Sequence, residues 1–123
     1  MNSRGASMAG DQEMIIATRV LKLRRPEGYV DLPVHIFAPK QKGEEWSGRV
    51  EVGWPGTPQP IDVNGCVDAV DVLETSMRLI GAVLYASMPH LSGNLVWQQP
   101  GNGYGFPVLE DMRDVLQGDD KRF

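Results

Sequence analysis

The sequence predicts an α+β fold, an antiparallel sheet of four or five strands with one long helix packed on one face. Apolar and polar residues alternate in short segments that turn residues separate, which is the period of half-buried strands. One later segment, 68–86, instead has apolar residues at helical spacing. Because the first strands are joined by short turns and precede this helix, an antiparallel meander is favoured over a parallel arrangement.

The strand segments follow one another along the first half of the chain. Residues 14–24 are rich in β-formers, and Pro26-Glu27-Gly28 supplies a turn after them. Pro33, in the second strand, cannot donate a ladder hydrogen bond, which favours an edge position or a bulge there. A third strand is predicted over 46–54 and a short fourth over 61–63. The apolar row of the second strand is Val30, Leu32, Val34, Ile36 and Ala38.

The main helix is predicted over residues 68–86, with Asp68 as its N-cap. Gly81 lies inside it, where glycine costs about 1 kcal/mol relative to Ala and is expected to allow close approach to the sheet. A last strand is predicted over 94–98, and Pro107 begins a second helical pattern over 107–117. The stripe expected to face the sheet is Val70, Leu73, Met77, Ile80 and Leu84, widened by Leu79 and Val83.

A chain of 123 residues is long enough for one domain with a core of its own. Residues 1–12 are rich in small and polar residues and are expected to be a disordered leader, within which Met8, like Met14 just after it, is an alternative initiator. Residues 13–107 are expected to form the single α+β domain. Residues 108–123 are a C-terminal extension with room for a short helix.

Composition excludes several classes of protein. Cys66 is the single cysteine, so there is no disulfide scaffold, and with only His35 and His90 beside it no thiolate zinc site is expected. The sequence has no stretch of 18 apolar residues, so no membrane span is predicted. Residues 1–13 lack the apolar region of a signal peptide. We therefore expect a reduced, cytoplasmic protein without cofactor or metal. The net charge of −4 argues against a nucleic-acid partner.

The charge is unevenly distributed. Residues 1–54 carry 8 Lys or Arg against 7 Asp or Glu, whereas residues 55–123 carry 4 against 9. The acidic half would suit a basic partner, although such runs are more often solvated faces.

Several segments together resemble a family of small uncharacterised bacterial proteins, a domain of unknown function. They are VHIFAP at 34–39, the Trp-Pro pair at 54–55, IGAVLYAS at 80–87 and GYGFP at 103–107. The resemblance extends from about Ile16 to Pro107. It implies a bacterial cytosolic origin and transfers no catalytic residue.

The glycine-rich loop 101–106 superficially suggests a phosphate cradle. A dinucleotide fingerprint needs a preceding strand, the full glycine spacing and a helix that opens at its end, whereas here the spacing is wrong and Pro107 follows. The favoured interpretation is a turn-rich loop whose Tyr104 and Phe106 pack over an edge of the core.

Two residues are candidates for chemistry. His35, on the polar side of its strand, would act as a general base only with an orienting carboxylate or a nucleophile within reach, such as Asp31 or Glu51. A surface histidine is the simpler interpretation. Cys66 lies just ahead of the helix, where a thiol pKa can fall. A lone cysteine is more often a small buried hydrophobe.

A single helix can cover only one face of the sheet, yet the second strand also carries apolar residues on the other face. If the even-numbered row of the second strand is core, Tyr29 and Phe37 point the other way, and Val20, His35 and Arg49 share that face. A half-apolar open face suggests an interface, most simply with a second copy. The alternative is that the glycine-rich loop or the terminal helix covers it.

The function expected from these observations is that of a non-enzymatic binding or interaction protein, in which the partner is a protein or a second copy of the chain. A first alternative is an immunity-type protein that neutralises a basic toxin through its acidic half. A second alternative is a small-ligand binder or enzyme that uses the His35 face or the glycine-rich loop.

Overall fold

The computed structural model describes residues 13–107. The predicted leader over 1–12 and the predicted extension over 108–123, with its second helix, lie outside the described residues. The elements in chain order are β1 (Ile15–Arg25), β2 (Gly28–Phe37), β3 (Lys40–Lys42), β4 (Glu45–Val52), β5 (Gln59–Cys66), α1 (Ala69–Tyr85), α2 (Met88–Leu91) and β6 (Leu95–Val96).

The strands form one antiparallel sheet of six, so the α+β class is confirmed and the predicted count of four or five is low. β2 lies between β1 and β4, β6 pairs with the outer side of β1, and β3 and β5 both pair with β4. The extra strand is β3, in a segment that reads as a charged loop. Its sequence Lys-Gln-Lys has no apolar alternation, but Gly43 at φ +61° allows a tight turn back to β4.

Pro33 occupies an interior strand, so the expectation of an edge position or a bulge at this residue is wrong. The backbone N–H of Gly53 donates to the Pro33 carbonyl at 2.8 Å, next to the pair that Val34 forms with Val52. Because a strand residue directs both backbone groups to the same side, the missing N–H of Pro33 falls where pairing between β2 and β4 ends. The two irregularities of register lie elsewhere, between Ile15 and Ala17 and between Trp46 and Gly48.

One face of the sheet packs against α1. The main buried cluster joins apolar residues of β1, β2 and β4 to the second half of the helix and to the loop after β6. Its fully buried members are Leu21, Leu32, Val34, Val50, Val52, Ile80 and Leu84.

The buried stripe of α1 is rotated relative to the predicted one. Val72 and Ser76 are buried, whereas Leu73 is half-buried and Val70 is 70% exposed. The cause lies in β4, where a Cβ on Gly48 would be 2.5 Å from a methyl of Val72. The missing side chain lets the helix approach the sheet at Val72, about two and a half turns before Gly81, the residue expected to allow that approach.

Candidate functional site

The face of the sheet opposite α1 carries the predicted interface residues. The alternation that buries the even-numbered residues of β2 directs Tyr29, His35 and Phe37 to the other side, and the register places Val20 and Arg49 beside them. Val20 and Tyr29 are 44% and 54% exposed. We call this surface the open face; it consists of Ile15, Thr18, Val20, Lys22, Tyr29, Asp31, Pro33, His35, Phe37, Arg49 and Glu51.

His35 is bonded to a hydroxyl. Its Nδ1 lies 2.9 Å from Oγ1 of Thr18, the residue opposite it on β1, and Glu51 is opposite it on β4. Within residues 13–107, Thr18 is the hydrogen-bond partner of His35, and no carboxylate reaches the ring. A base oriented by a carboxylate is therefore not assembled, although a hydroxyl–imidazole pair lies on the open face.

Arg49 is held by two carboxylates. Its Nε donates to Asp62 and its Nη1 to Glu13, both at 3.0 Å. The pKa of Arg49 is raised, first by the hydrogen bond to Asp62 and then by the charge of Glu13. Beside this group is a shallow polar cavity of about 170 Å³, lined also by Ser47 and Asn64. The guanidinium is thus neutralised locally and fixes one corner of the open face.

The apolar part of the open face is larger than the sequence indicated. Ile15 is opposite Phe37 at the bulge of β1, and Val20 is opposite Pro33. Ile15 and Ile16 are both about half exposed. The sequence pattern identified Ile15 and Ile16 only as β-formers, because the bulge that changes the direction of their side chains leaves no mark in the alternation.

The predicted loop residues Tyr104 and Phe106 lie apart from the open face. Both are buried in the main core cluster, at 3% and 4% exposure. The Tyr104 hydroxyl is 2.6 Å from Nδ1 of His90 and 3.4 Å from the Leu95 carbonyl. The described part of the glycine-rich loop therefore packs over the core edge on the helix side, as the turn-loop interpretation predicted, and does not cover the open face.

Arg19 holds this loop in place. Its guanidinium lies over the rings of Trp97 and Phe106, at 4.1 Å and 4.8 Å from their centres, and donates to the carbonyls of Tyr104 and Gly105. These carbonyls point at a cation, whereas a phosphate cradle requires backbone N–H groups directed at an anion. The arrangement therefore gives the loop a structural role, which no sequence motif had indicated.

The environments of Cys66 and His90 disfavour the charged form of each side chain. Cys66 is buried, and burial first and the charge of Asp71 second raise the pKa of its thiol, so the thiolate needed for nucleophilic attack is suppressed. The interpretation of Cys66 as a small buried hydrophobe fits this environment. Burial lowers the pKa of His90, which favours the neutral ring beside Tyr104.

Residues 13–107 hold neither a metal site nor a membrane-spanning helix. No group of three His, Cys, Asp or Glu side chains in that range could hold a metal ion. None of the helices in the described range is long and apolar enough to cross a membrane.

Comparison with known proteins bears on the family alone. No curated protein and no solved structure matches the chain. A family model described as "Domain of unknown function (DUF6968)" matches residues 17–108, nearly the extent of the resemblance noted from the sequence. The chain therefore belongs to the DUF6968 family.

Proposed function

We propose that this domain is a non-enzymatic protein-binding domain whose open face is the binding surface. The observation that carries this proposal is that α1 packs on one face only, while the opposite face presents Val20 and Tyr29 about half exposed and also carries Phe37. Burying an aromatic or large aliphatic side chain yields about 1.5–3 kcal/mol, so a partner that covers these three would gain several kcal/mol.

The charges of the open face support a protein partner. Lys22 is paired with Asp31, and Arg49 with Asp62 and Glu13. In the register of β1 and β2 the Lys22–Asp31 pair lies between Tyr29 and Val20, and Arg49 lies at the Phe37 end of the face. The apolar side chains thus alternate with charges that are already paired, and a mixed surface that includes Tyr, Phe and Arg suits a protein–protein interface.

The two alternative functions receive less support. The small-ligand or enzymatic alternative needs a cavity and an oriented base, but His35 is bonded to Thr18 on an exposed pleated surface. The immunity-type alternative depends on acidic residues of the second half. Of these, Asp68 accepts the Asp71 N–H at 2.7 Å and Asp71 accepts the Val67 N–H at 3.0 Å, so both cap the start of α1.

We place this function in the cytoplasm of a bacterium. The family resemblance supports the bacterial origin, and one buried, unpaired thiol, Cys66, suits a reducing compartment.

Loss of binding on substitution of the open face tests the proposal. Wild type, Phe37→Glu, Tyr29→Glu and the control Val70→Glu are used as baits in lysate from a bacterial host that encodes the chain. Val70 is 70% exposed on α1, away from the open face. The substitution Val70→Glu therefore introduces the same charge outside the proposed binding surface. A protein retained by wild type and the control is expected to be lost from both open-face variants, with its affinity reduced at least about tenfold after purification.

Equal melting temperatures of the four baits establish that binding, and not folding, has changed. A partner bound equally by all four, or lost only from Val70→Glu, would contradict the proposal.

A further inference from the structure

We infer that the outer edge of β1 pairs with the same edge of a second copy, so that two sheets join across a twofold axis. We call residues 18–21 the β1 edge. The inference does not depend on what binds the open face, because it uses backbone groups in the plane of the sheet.

On the side away from β2, Thr18 and Val20 have no strand partner among residues 13–107. β6 pairs only with Lys22 and Leu23, and the Arg24 N–H donates to the Asn94 carbonyl at 2.7 Å on the same side. Backbone direction alternates along a strand, so the N–H and C=O groups of Thr18 and Val20 also point to this side. Among residues 13–107, no backbone group pairs with them there.

The chain leaves this edge at a strained residue. Continuing the register of β6 would bring Gln98 opposite Val20, but Gln98 has φ +65° and the strand ends at Val96. A positive φ is unfavourable for a residue other than glycine, and such strain persists only where the surrounding structure imposes it. The turn at Gln98 is what leaves Thr18 and Val20 uncovered.

The two edges of the sheet differ in how they resist pairing. β5, at the far edge, carries Pro60, which has no N–H, and Gly65 at φ +71°, both of which disfavour an added strand. The β1 edge has no proline, glycine or lysine. Its one charge, Arg19, is drawn to the helix side by Trp97 and the loop carbonyls. The bulge at Ile15–Ala17 lies at one end of the stretch available for pairing.

The side chains favour a second copy as the added strand. Antiparallel pairing centred on Thr18 places this residue opposite its own symmetry mate, and Val20 opposite the exposed Ile16 of the second copy. Threonine pairs and pairs of β-branched aliphatic residues are both favourable across strands. A twofold axis is the symmetry that a self-matching edge requires.

Sedimentation velocity from low to high micromolar concentration tests the inference with wild type, Thr18→Pro and the control Thr18→Val. Proline removes the outward N–H, while pairing with β2 uses groups of the neighbouring residues. Valine keeps that N–H and loses the same hydroxyl contact to His35. Wild type and Thr18→Val are expected to form dimers as concentration rises, and Thr18→Pro to stay monomeric with an unchanged melting temperature.

Amide hydrogen exchange supplies a second readout. The Thr18 and Val20 amides should exchange more slowly as wild type dimerises. Should Thr18→Pro fail to fold, Val20→Pro takes its place with Val20→Thr as its control, because Val20 also directs its N–H outward and lies opposite Pro33. A wild type that is monomeric throughout, or a dimer that survives these edge substitutions, would overturn the inference. Phe37→Glu should leave the dimer intact, so failure of the open-face proposal is recognised separately.

Discussion

Replacing Leu84 by Ala is expected to lower the free energy of unfolding by about 2–5 kcal/mol. Leu84 is fully buried in the main cluster between α1 and the sheet, so truncation removes apolar contacts and leaves a cavity that the strands cannot fill. Chemical denaturation monitored by tryptophan fluorescence and by circular dichroism measures the change.

Leu91→Ala is the matched control, because the same atoms are removed from a side chain that is 68% exposed. Its cost should stay within about 0.5 kcal/mol. The half-buried Leu73 should fall between the two. Truncation of a buried leucine normally costs more than about 1 kcal/mol. If Leu84→Ala lowered the free energy of unfolding by less than that, α1 would not pack as described.

Replacing Gly105 by Ala is expected to cost about 2–5 kcal/mol, the sum of a left-handed backbone penalty and overpacking. Gly105 has φ +78°, and an added Cβ would lie 2.5 Å from both Arg19 Nη1 and a ring carbon of Trp97. The substitution therefore displaces the guanidinium from its aromatic partners. Thermal and denaturant unfolding measure the loss of stability.

Gly101→Ala separates the two contributions. Gly101 has nearly the same φ, +80°, but nothing lies within 4 Å of its added Cβ. Only the backbone penalty of about 1–2 kcal/mol is expected there. Equal costs at Gly101 and Gly105 would show that the Arg19–Trp97 contact does not hold the loop.

The fold could be predicted from the sequence where the spacing of apolar side chains determines the secondary structure. The alternation in β2 identified the buried row, and the helical spacing identified α1 to within about one residue at each end. The alternation has no counterpart in Lys40–Lys42, whose pairing depends on the tight turn at Gly43. The buried stripe of α1 was misplaced because Ser76 is polar and because the space for Val72 is made by Gly48, in a different strand.

Part of the open face could be predicted from the sequence, but its pairing across strands could not. Alternation alone places Tyr29, His35 and Phe37 on one face. Which residues they meet depends on register across strands, and the bulge at Ile15–Ala17 shifts that register by one residue. The Thr18–His35 bond and the Glu13–Arg49 pair follow from this register. The Arg19 contacts join residues more than 75 positions apart, beyond the reach of any local pattern.

Nitration of tyrosine tests the open face most directly. The chain has three tyrosines, of which Tyr29 lies half exposed on the open face while Tyr85 and Tyr104 are buried in the core. The full-length protein is treated with tetranitromethane, and the modified peptides are quantified by mass spectrometry. The unfolded chain, in which all three should react, is the control. If the open face is uncovered, Tyr29 alone should be modified rapidly. Its rate should be the same in the full chain and in a chain that ends at Pro107. Protection of Tyr29 in the full-length monomer, relieved by that truncation, would show that the chain covers the face itself and would contradict its role as a binding surface.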